Sequence, residues 1–165
     1  MTQFRIAFAW LAVVWAAAVP AAALAASRTP SGHAPIGYAF ALLVYEVGGV
    51  ICHQRPERSF HLFGAQLPVC ARCAGIYLGA AVAAMLASIP SRTSPFTPPF
   101  SIHAAHFRLL LLLSALPAAA TLLFEWTTGQ MPGHWVRAAS GVCLGAAIAW
   151  IVCRASAEPG RNVIN

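Results

Sequence analysis

An all-α, polytopic bundle of membrane-spanning helices is the fold this sequence predicts, on three observations. Hydrophobic residues fill 59% of the 165 positions and charged residues only 8%, about a third of the charge share of a soluble domain. The apolar residues gather into five stretches, each close to the roughly 20 residues a helix needs to cross the hydrocarbon. None of the stretches alternates polar with apolar positions, and lipid offers a backbone no hydrogen-bond partner, so helices are expected and barrel strands are not.

In order, the stretches run from Ile6 to Ala26, Ile36 to Ile51, Ala74 to Ile89, Leu109 to Trp126 and Trp135 to Val152. The whole chain, 1–165, reads as one integral membrane domain of about five spans, or four if the first is cleaved. Residues 1–26 form a first span or a signal-like segment: Arg5 before an Ala-rich core, and small residues through Ala23-Leu24-Ala25-Ala26, resemble a secretory signal. The apolar core is longer than a typical signal's, which favours a retained span. A hairpin over 36–89 contains a Cys/His connection, and a second hairpin covers 106–153. Pro95, Pro98 and Pro99 make the link between the hairpins an extended loop.

Counting a first and a second crossing brings the connection from Cys52 to Cys73 to the cytoplasmic face. Arg55, Arg58 and Arg72 then follow the positive-inside tendency. Arg28, Arg92, Arg108, Arg154 and Arg161 fall on the other face and nearly balance the count. The net charge of +6 arises from ten basic residues, all Arg, against Glu46, Glu57, Glu125 and Glu158. Because those arginines are scattered between spans and form no patch that could follow a phosphate backbone, nucleic acid is not an expected partner.

The hairpins look alike. Gly75-Ile76-Tyr77-Leu78-Gly79-Ala80-Ala81-Val82-Ala83 aligns without a gap on Gly141-Val142-Cys143-Leu144-Gly145-Ala146-Ala147-Ile148-Ala149, and each preceding stretch has a glutamate near its end, Glu46 and Glu125. A duplicated helix hairpin explains this, and so does chance likeness between two Ala/Gly-rich helices. Both segments hold G-x-x-x-G, which lets helix backbones approach closely and predicts a compact bundle.

Cys52-His53 and Cys70-Ala71-Arg72-Cys73 concentrate the chemistry. Cys70-x-x-Cys73 follows Pro68 and opens a helix, where free N–H groups and the helix dipole favour thiolate. Cys52 and His53 close the preceding helix on the same face, so topology alone brings three thiols and an imidazole together. That is a full tetrahedral set for zinc, with Zn–S of about 2.3 Å and Zn–N of about 2.1 Å. His61 is a second candidate for the fourth position. Neighbouring residues on a helix point about 100° apart, so Cys52 and His53 share one ion only if the helix has ended there.

These residues also carry a family resemblance. Cys52-His53-Gln54-Arg55-Pro56-Glu57-Arg58-Ser59-Phe60, then Gly64, then Leu67-Pro68-Val69-Cys70-Ala71-Arg72-Cys73-Ala74-Gly75-Ile76-Tyr77-Leu78-Gly79, resembles the signature of a prokaryotic family of membrane proteins classed as domain of unknown function 2085. In that family an Asp near the end of the penultimate span precedes a Gln, an Arg and a Gly-rich last helix. Glu125, Gln130, Arg137, Gly141 and Gly145 follow that order, with Glu in place of Asp. The resemblance implies a multi-pass protein of a prokaryotic cytoplasmic (inner) membrane and supplies no reaction.

Glu46 and Glu125 lie in apolar stretches, where a charged side chain turns toward a partner or cavity. Glu46 is seven residues before His53 on the same helix face. It is placed either as a supporting group for a metal site or in a pair with Arg137. Arg58, Arg72, Glu125 and Arg137 are the other supporting candidates. His103, His106 and His134 are expected at the interface opposite the cysteines, where His106 and His134 are the pair that haem ligation would require. Cys143 and Cys153 are expected to pack as small apolar residues.

Three functions fit. One is a zinc-binding membrane module built on Cys52, His53, Cys70 and Cys73. The second is a membrane thiol–disulfide oxidoreductase, in which Cys70 and Cys73 cycle and Cys52 relays electrons, with a quinone as acceptor. In outline it resembles the vitamin K epoxide reductase enzymes, which need a further cysteine pair where this chain has only Cys52. The third is an accessory subunit whose apolar faces meet a membrane-protein partner or a second copy. The sequence has no Walker-type loop, no H-E-x-x-H and no G-x-S-x-G, so it shows no apparatus for ATP hydrolysis, metalloprotease or serine hydrolase chemistry.

Overall fold

The computed structural model of the chain describes residues 2–28, 35–89 and 104–156. Five helices follow the five apolar stretches: α1 (Thr2–Ser27), α2 (Pro35–Ile51), α3 (Ala71–Ser88), α4 (Ala104–Thr128) and α5 (His134–Ala155). Between α2 and α3 stand a single 3₁₀ turn, Pro56–Arg58, and a two-stranded antiparallel hairpin of β1 (His61–Leu62) and β2 (Ala65–Gln66). The fold is an all-α bundle. α1, α3, α4 and α5 are long and apolar enough to cross a membrane, and α2 is shorter at 17 residues.

α3 and α5 share the largest interface in the bundle, and glycine makes it. A Cβ on Gly75 would run into the carbonyl of Ala138, and one on Gly79 into that of Val142. Reciprocally, Gly141 faces the carbonyl of Arg72, and Gly145 that of Ile76. Bare backbones meet where side chains would hold helices apart, which is how small residues bind helices in lipid without a hydrophobic driving force. The shift that carries Gly75 onto Gly141 also carries Arg72 onto Ala138 and Ile76 onto Val142, so the two look-alike segments pack on each other symmetrically.

α1 runs antiparallel to α3. Near its start, the Ser88 hydroxyl donates to the Arg5 carbonyl at 3.3 Å, and Ala9 packs with Ala84, Ala149 and Cys153. Further along, Trp15 meets the Tyr77 ring edge-on at 5.9 Å, and Val19 shares an apolar cluster with Cys52, Leu67 and Val69, against which Cys70 and Cys73 pack. Two sequential full crossings by α1 and α2 would leave α1 parallel to α3, so α2 adds no crossing between them. Chain reach gives the reason. The seven steps from Arg28 to Pro35 extend at most about 25 Å, whereas α1 from Arg5 to Ser27 is about 33 Å long, so α2 cannot start at the far end and return. It packs mainly against α1 and ends at the level of the cysteines. The cysteine connection therefore lies at the opposite end of the bundle from Arg5, one crossing from it and not two.

α4 packs on α5 and leaves Leu109, Leu112, Leu113, Leu116 and Leu123 exposed, as suits a helix lying against acyl chains. Its end and the start of α5 return to the cysteine end of the bundle.

Candidate functional site

Cys52 sits at the point where α2 stops. Its N–H still reaches the Gly48 carbonyl at 2.8 Å, but two residues later Gln54 adopts φ +46°, the left-handed region that ends a helix. That conformation is held by the Gln54 side chain, whose amide nitrogen donates to the carbonyls of Tyr45 (2.5 Å) and Pro68 (2.9 Å). The end of α2 is thereby tied to the residues just before Cys70. Gly48 permits the approach, since a Cβ there would collide with the Pro68 carbonyl.

The hairpin closes the same connection. Phe63 (φ +57°) and Gly64 (φ +79°) form a two-residue turn with both residues left-handed, the twist that joins antiparallel strands well. Gln66 then donates from its amide nitrogen to the Gln54 carbonyl at 2.5 Å and accepts the Tyr45 hydroxyl on its own carbonyl. Leu67 donates to Phe60 at 2.8 Å. The fully buried Pro68 and Val69 bring Cys70 to the N-cap of α3.

The three sulfurs of Cys52, Cys70 and Cys73 lie within 4.8 Å of one another, all as free thiols, with Cys52 buried and the other two half-buried. The Cys70 N–H donates to Cys52 Sγ at 3.2 Å. The Cys70 thiol is pulled down to about 5, foremost by the hydrogen bond from the Cys73 thiol. The Cys73 N–H, the Cys52 thiol and the Arg72 N–H add to this, while burial opposes it. The thiolate that a helix start favours is thus held by donors on every side.

Cys52, Cys70 and Cys73 line a cavity of about 330 Å³ with His53, Gln54, Arg55, Arg58 and Arg72. His53 borders it from the exposed side, and its ring nitrogens stand outside the 4.8 Å set, as do those of the exposed His61. The helix does end between Cys52 and His53, as a shared ion requires, yet the imidazole is not turned inward beside the sulfurs.

Of the supporting candidates, four gather behind the cysteines. Arg58 forms an ion pair with Glu125, itself 7% exposed. Arg72 donates to Thr121 Oγ1 at 3.0 Å, and the buried Arg137 donates to the Glu57 carbonyl at 3.3 Å. Glu46 does not join them. It lies on the exposed side of α2, outside the cysteine set and with no ion pair to Arg137.

His134 is on the cysteine end of the bundle and not opposite it: its ring lies 5.6 Å from that of Phe60. His106, at the start of α4, belongs to the far end, where Phe107 meets Trp150. The pair is separated by most of the length of α4, about 30 Å at 1.5 Å per residue, so these two histidines do not share a depth for haem. His103 lies outside the described residues. Cys153 is buried among alanines as expected, and Cys143 is exposed on α5. Gln54, Tyr45, Gln66 and Thr121 escaped the sequence reading. A polar amide placed directly after Cys52-His53, where a helix must stop, was the available signal for Gln54.

Residues 52–151 match the model of a family described as a predicted membrane protein, DUF2085. An uncharacterised protein of Methanocaldococcus jannaschii is 52% identical over 42 residues, 26% of this chain and 27% of that protein. One of Methanothermobacter thermautotrophicus is 63% identical over 30 residues, 18% of this chain and 27% of the relative. The chain thus aligns with about a quarter of the length of either relative. No solved structure matches.

Proposed function

The chain belongs to the DUF2085 family of membrane proteins, and within that frame we propose that it is a metal-binding membrane module whose Cys52, Cys70 and Cys73 thiolates hold a zinc ion. One observation carries this reading: two chain segments 18 residues apart deliver three sulfurs to within 4.8 Å of one another. Tetrahedral zinc with bonds of about 2.3 Å sets its sulfurs about 3.8 Å apart, so an adjustment of about 1 Å closes the set around an ion. Three thiolates suit zinc better than harder cations. The fourth position faces the cavity, open to an inward-turned His53 or to water.

A bound ion would tie the end of α2 to the start of α3. The ion would supply a cross-link and, with an open position, a Lewis acid; the chain's own contribution is to hold the sulfurs close and keep Cys70 ionised. The test is elemental analysis of protein extracted in mild detergent without chelator. About one zinc per chain is expected in the wild type and its loss in Cys52→Ala and Cys70→Ala, whereas His53→Ala retaining the metal would assign the fourth position to water. A wild type without stoichiometric metal rejects the reading.

The Cys70 thiolate also favours a second reading as a thiol–disulfide oxidoreductase. Cys70 would attack a substrate disulfide and Cys73 would resolve the mixed disulfide, leaving the substrate as two thiols and the pair oxidised. Trapping of a mixed disulfide on Cys70 in Cys73→Ala supports that chemistry, and its absence removes it.

We further infer that the cysteine end faces away from the cytoplasm of a prokaryotic membrane. Arg5 precedes the first span, as in a chain whose N-terminus stays in the cytoplasm, and α1 makes the one crossing between it and Cys52. The arginines themselves divide evenly, with Arg5, Arg108, Arg154 and, by their place in sequence, Arg92 and Arg161 belonging to the far end and Arg28, Arg55, Arg58, Arg72 and Arg137 to the cysteine end, so the crossing count and not the charge count carries the inference. The cytoplasmic placement expected from the sequence relied on two crossings before Cys52, and the antiparallel packing of α1 on α3 removes one.

A further inference from the structure

We propose that Arg58, Arg72 and Arg137 form an anion site for a phosphate group, set behind the cysteines between the first turns of α3 and α5 and the end of α4. Only Arg58 lies within ion-pair distance of a carboxylate, Glu125, whose charge also acts on Arg137. Arg72 is bonded to a hydroxyl and Arg137 to a backbone carbonyl, both neutral acceptors. The Nε–H groups of all three arginines are buried and have no hydrogen-bond partner, and Arg137 is 3% exposed. Guanidinium does not shed its proton to escape such surroundings, so the charges stay and need an anion.

The charge count points the same way. Three positive groups within electrostatic reach of one another face one carboxylate. Adding the Cys70 thiolate still leaves one positive charge over, and a zinc ion with three thiolates, itself singly negative, leaves the same. Arg72 is the second residue of α3 and Arg137 the fourth of α5, where the helix dipole disfavours a cation and favours an anion. Arg58 and Arg72, though not Arg137, border the cavity of about 330 Å³ that opens beside the cysteines, the volume of roughly ten waters, so an anion held by these two has room to enter from that side. Guanidinium forks match phosphate oxygens in pairs. At a membrane face, that group arrives either as free phosphate or as the headgroup of an anionic phospholipid. The site does not depend on a metal at the cysteines.

The test uses the full chain, delipidated in detergent and exchanged into chloride. Inorganic phosphate is titrated at constant ionic strength with calorimetry and thermal unfolding, and melting is compared in vesicles of phosphatidylglycerol and of phosphatidylcholine. Saturable phosphate binding is expected, weakened about tenfold in Arg72→Gln by loss of one charge-assisted contact and tightened in Glu125→Gln, which removes the competing carboxylate. Stabilisation by phosphatidylglycerol without a response to free phosphate supports the site with the lipid as its source. No saturable response to either ligand overturns the proposal, as does a response in Arg72→Gln equal to the wild type's. If Glu125→Gln fails to fold, the wild type against Arg72→Gln, whose side chain is only half-buried, decides.

Discussion

The backbone N–H of Cys70 donates to the sulfur of Cys52 across 3.2 Å, so the first residue of the C-x-x-C pair is engaged by a thiol that arrives from a different helix. That contact places a donor on the Cys52 sulfur, while the hydrogen bond from the Cys73 thiol is the foremost cause that makes Cys70 the anionic member of the trio.

In metal-free protein, the alkylation rate of Cys70 is accordingly expected to follow a midpoint near 5 and to be flat above about pH 6, where an ordinary thiol keeps gaining up to pH 9. Cys73→Ala removes the largest cause and should move the midpoint up. The stability linkage has a defined sign: a folded-state value below the unfolded one stabilises above the unfolded value, and that stabilisation fades as pH falls toward 5. Mass-spectrometric rates across pH 4 to 9 check both; a Cys70 midpoint unchanged by Cys73→Ala speaks against the assigned cause.

Gly145→Ala should push α3 from α5, because its Cβ has no room beside the Ile76 carbonyl. Overpacking of this kind costs about 1–3 kcal/mol. Gly133→Ala, whose Cβ would meet nothing within 4 Å, is the matched control. Detergent melting curves compare them, and equal behaviour of the two variants contradicts the packing described.

Gln54→Ala leaves the carbonyls of Tyr45 and Pro68 without their donor, a loss of about 1–3 kcal/mol. Hydrogen exchange should rise over residues 52–70 while the α3 to α5 interface stays protected. Uniform protection throughout would mean that the amide does not hold the connection.

An N-terminal tag and a tag at the Phe63-Gly64 turn should react with impermeant reagents from opposite sides of the membrane. The mature chain should also keep residues 1–26, since Trp15 and Val19 are packed around the cysteines. Labelling of intact and opened cells tests the first, and intact mass the second. Same-side labelling would reinstate α2 as a full crossing.

The helices and the convergence of the thiols were legible because each rests on a local signal: apolar runs of spanning length, glycines at four-residue spacing, and a cysteine at each end of one connection. The handedness of Gln54 was not, because a side-chain amide reaching 14 residues ahead to Pro68 leaves no periodic mark. Nor was the role of α2, whose composition satisfies a span while the short link before it forbids one. His134 was open to counting: two crossings separate it from the cysteines, and two crossings return a chain to the face it left.

The glycine seam between α3 and α5 also decides which part of the cysteine cluster can give. Cys70 and Cys73 ride on a helix pinned backbone to backbone, with almost no slack, whereas Cys52 hangs from a helix braced chiefly by α1 and a few amide bonds. The cluster is thus a clasp with one fixed jaw and one hinged jaw. Opening and reloading it would draw on the Cys52 arm, leaving the transmembrane frame undisturbed.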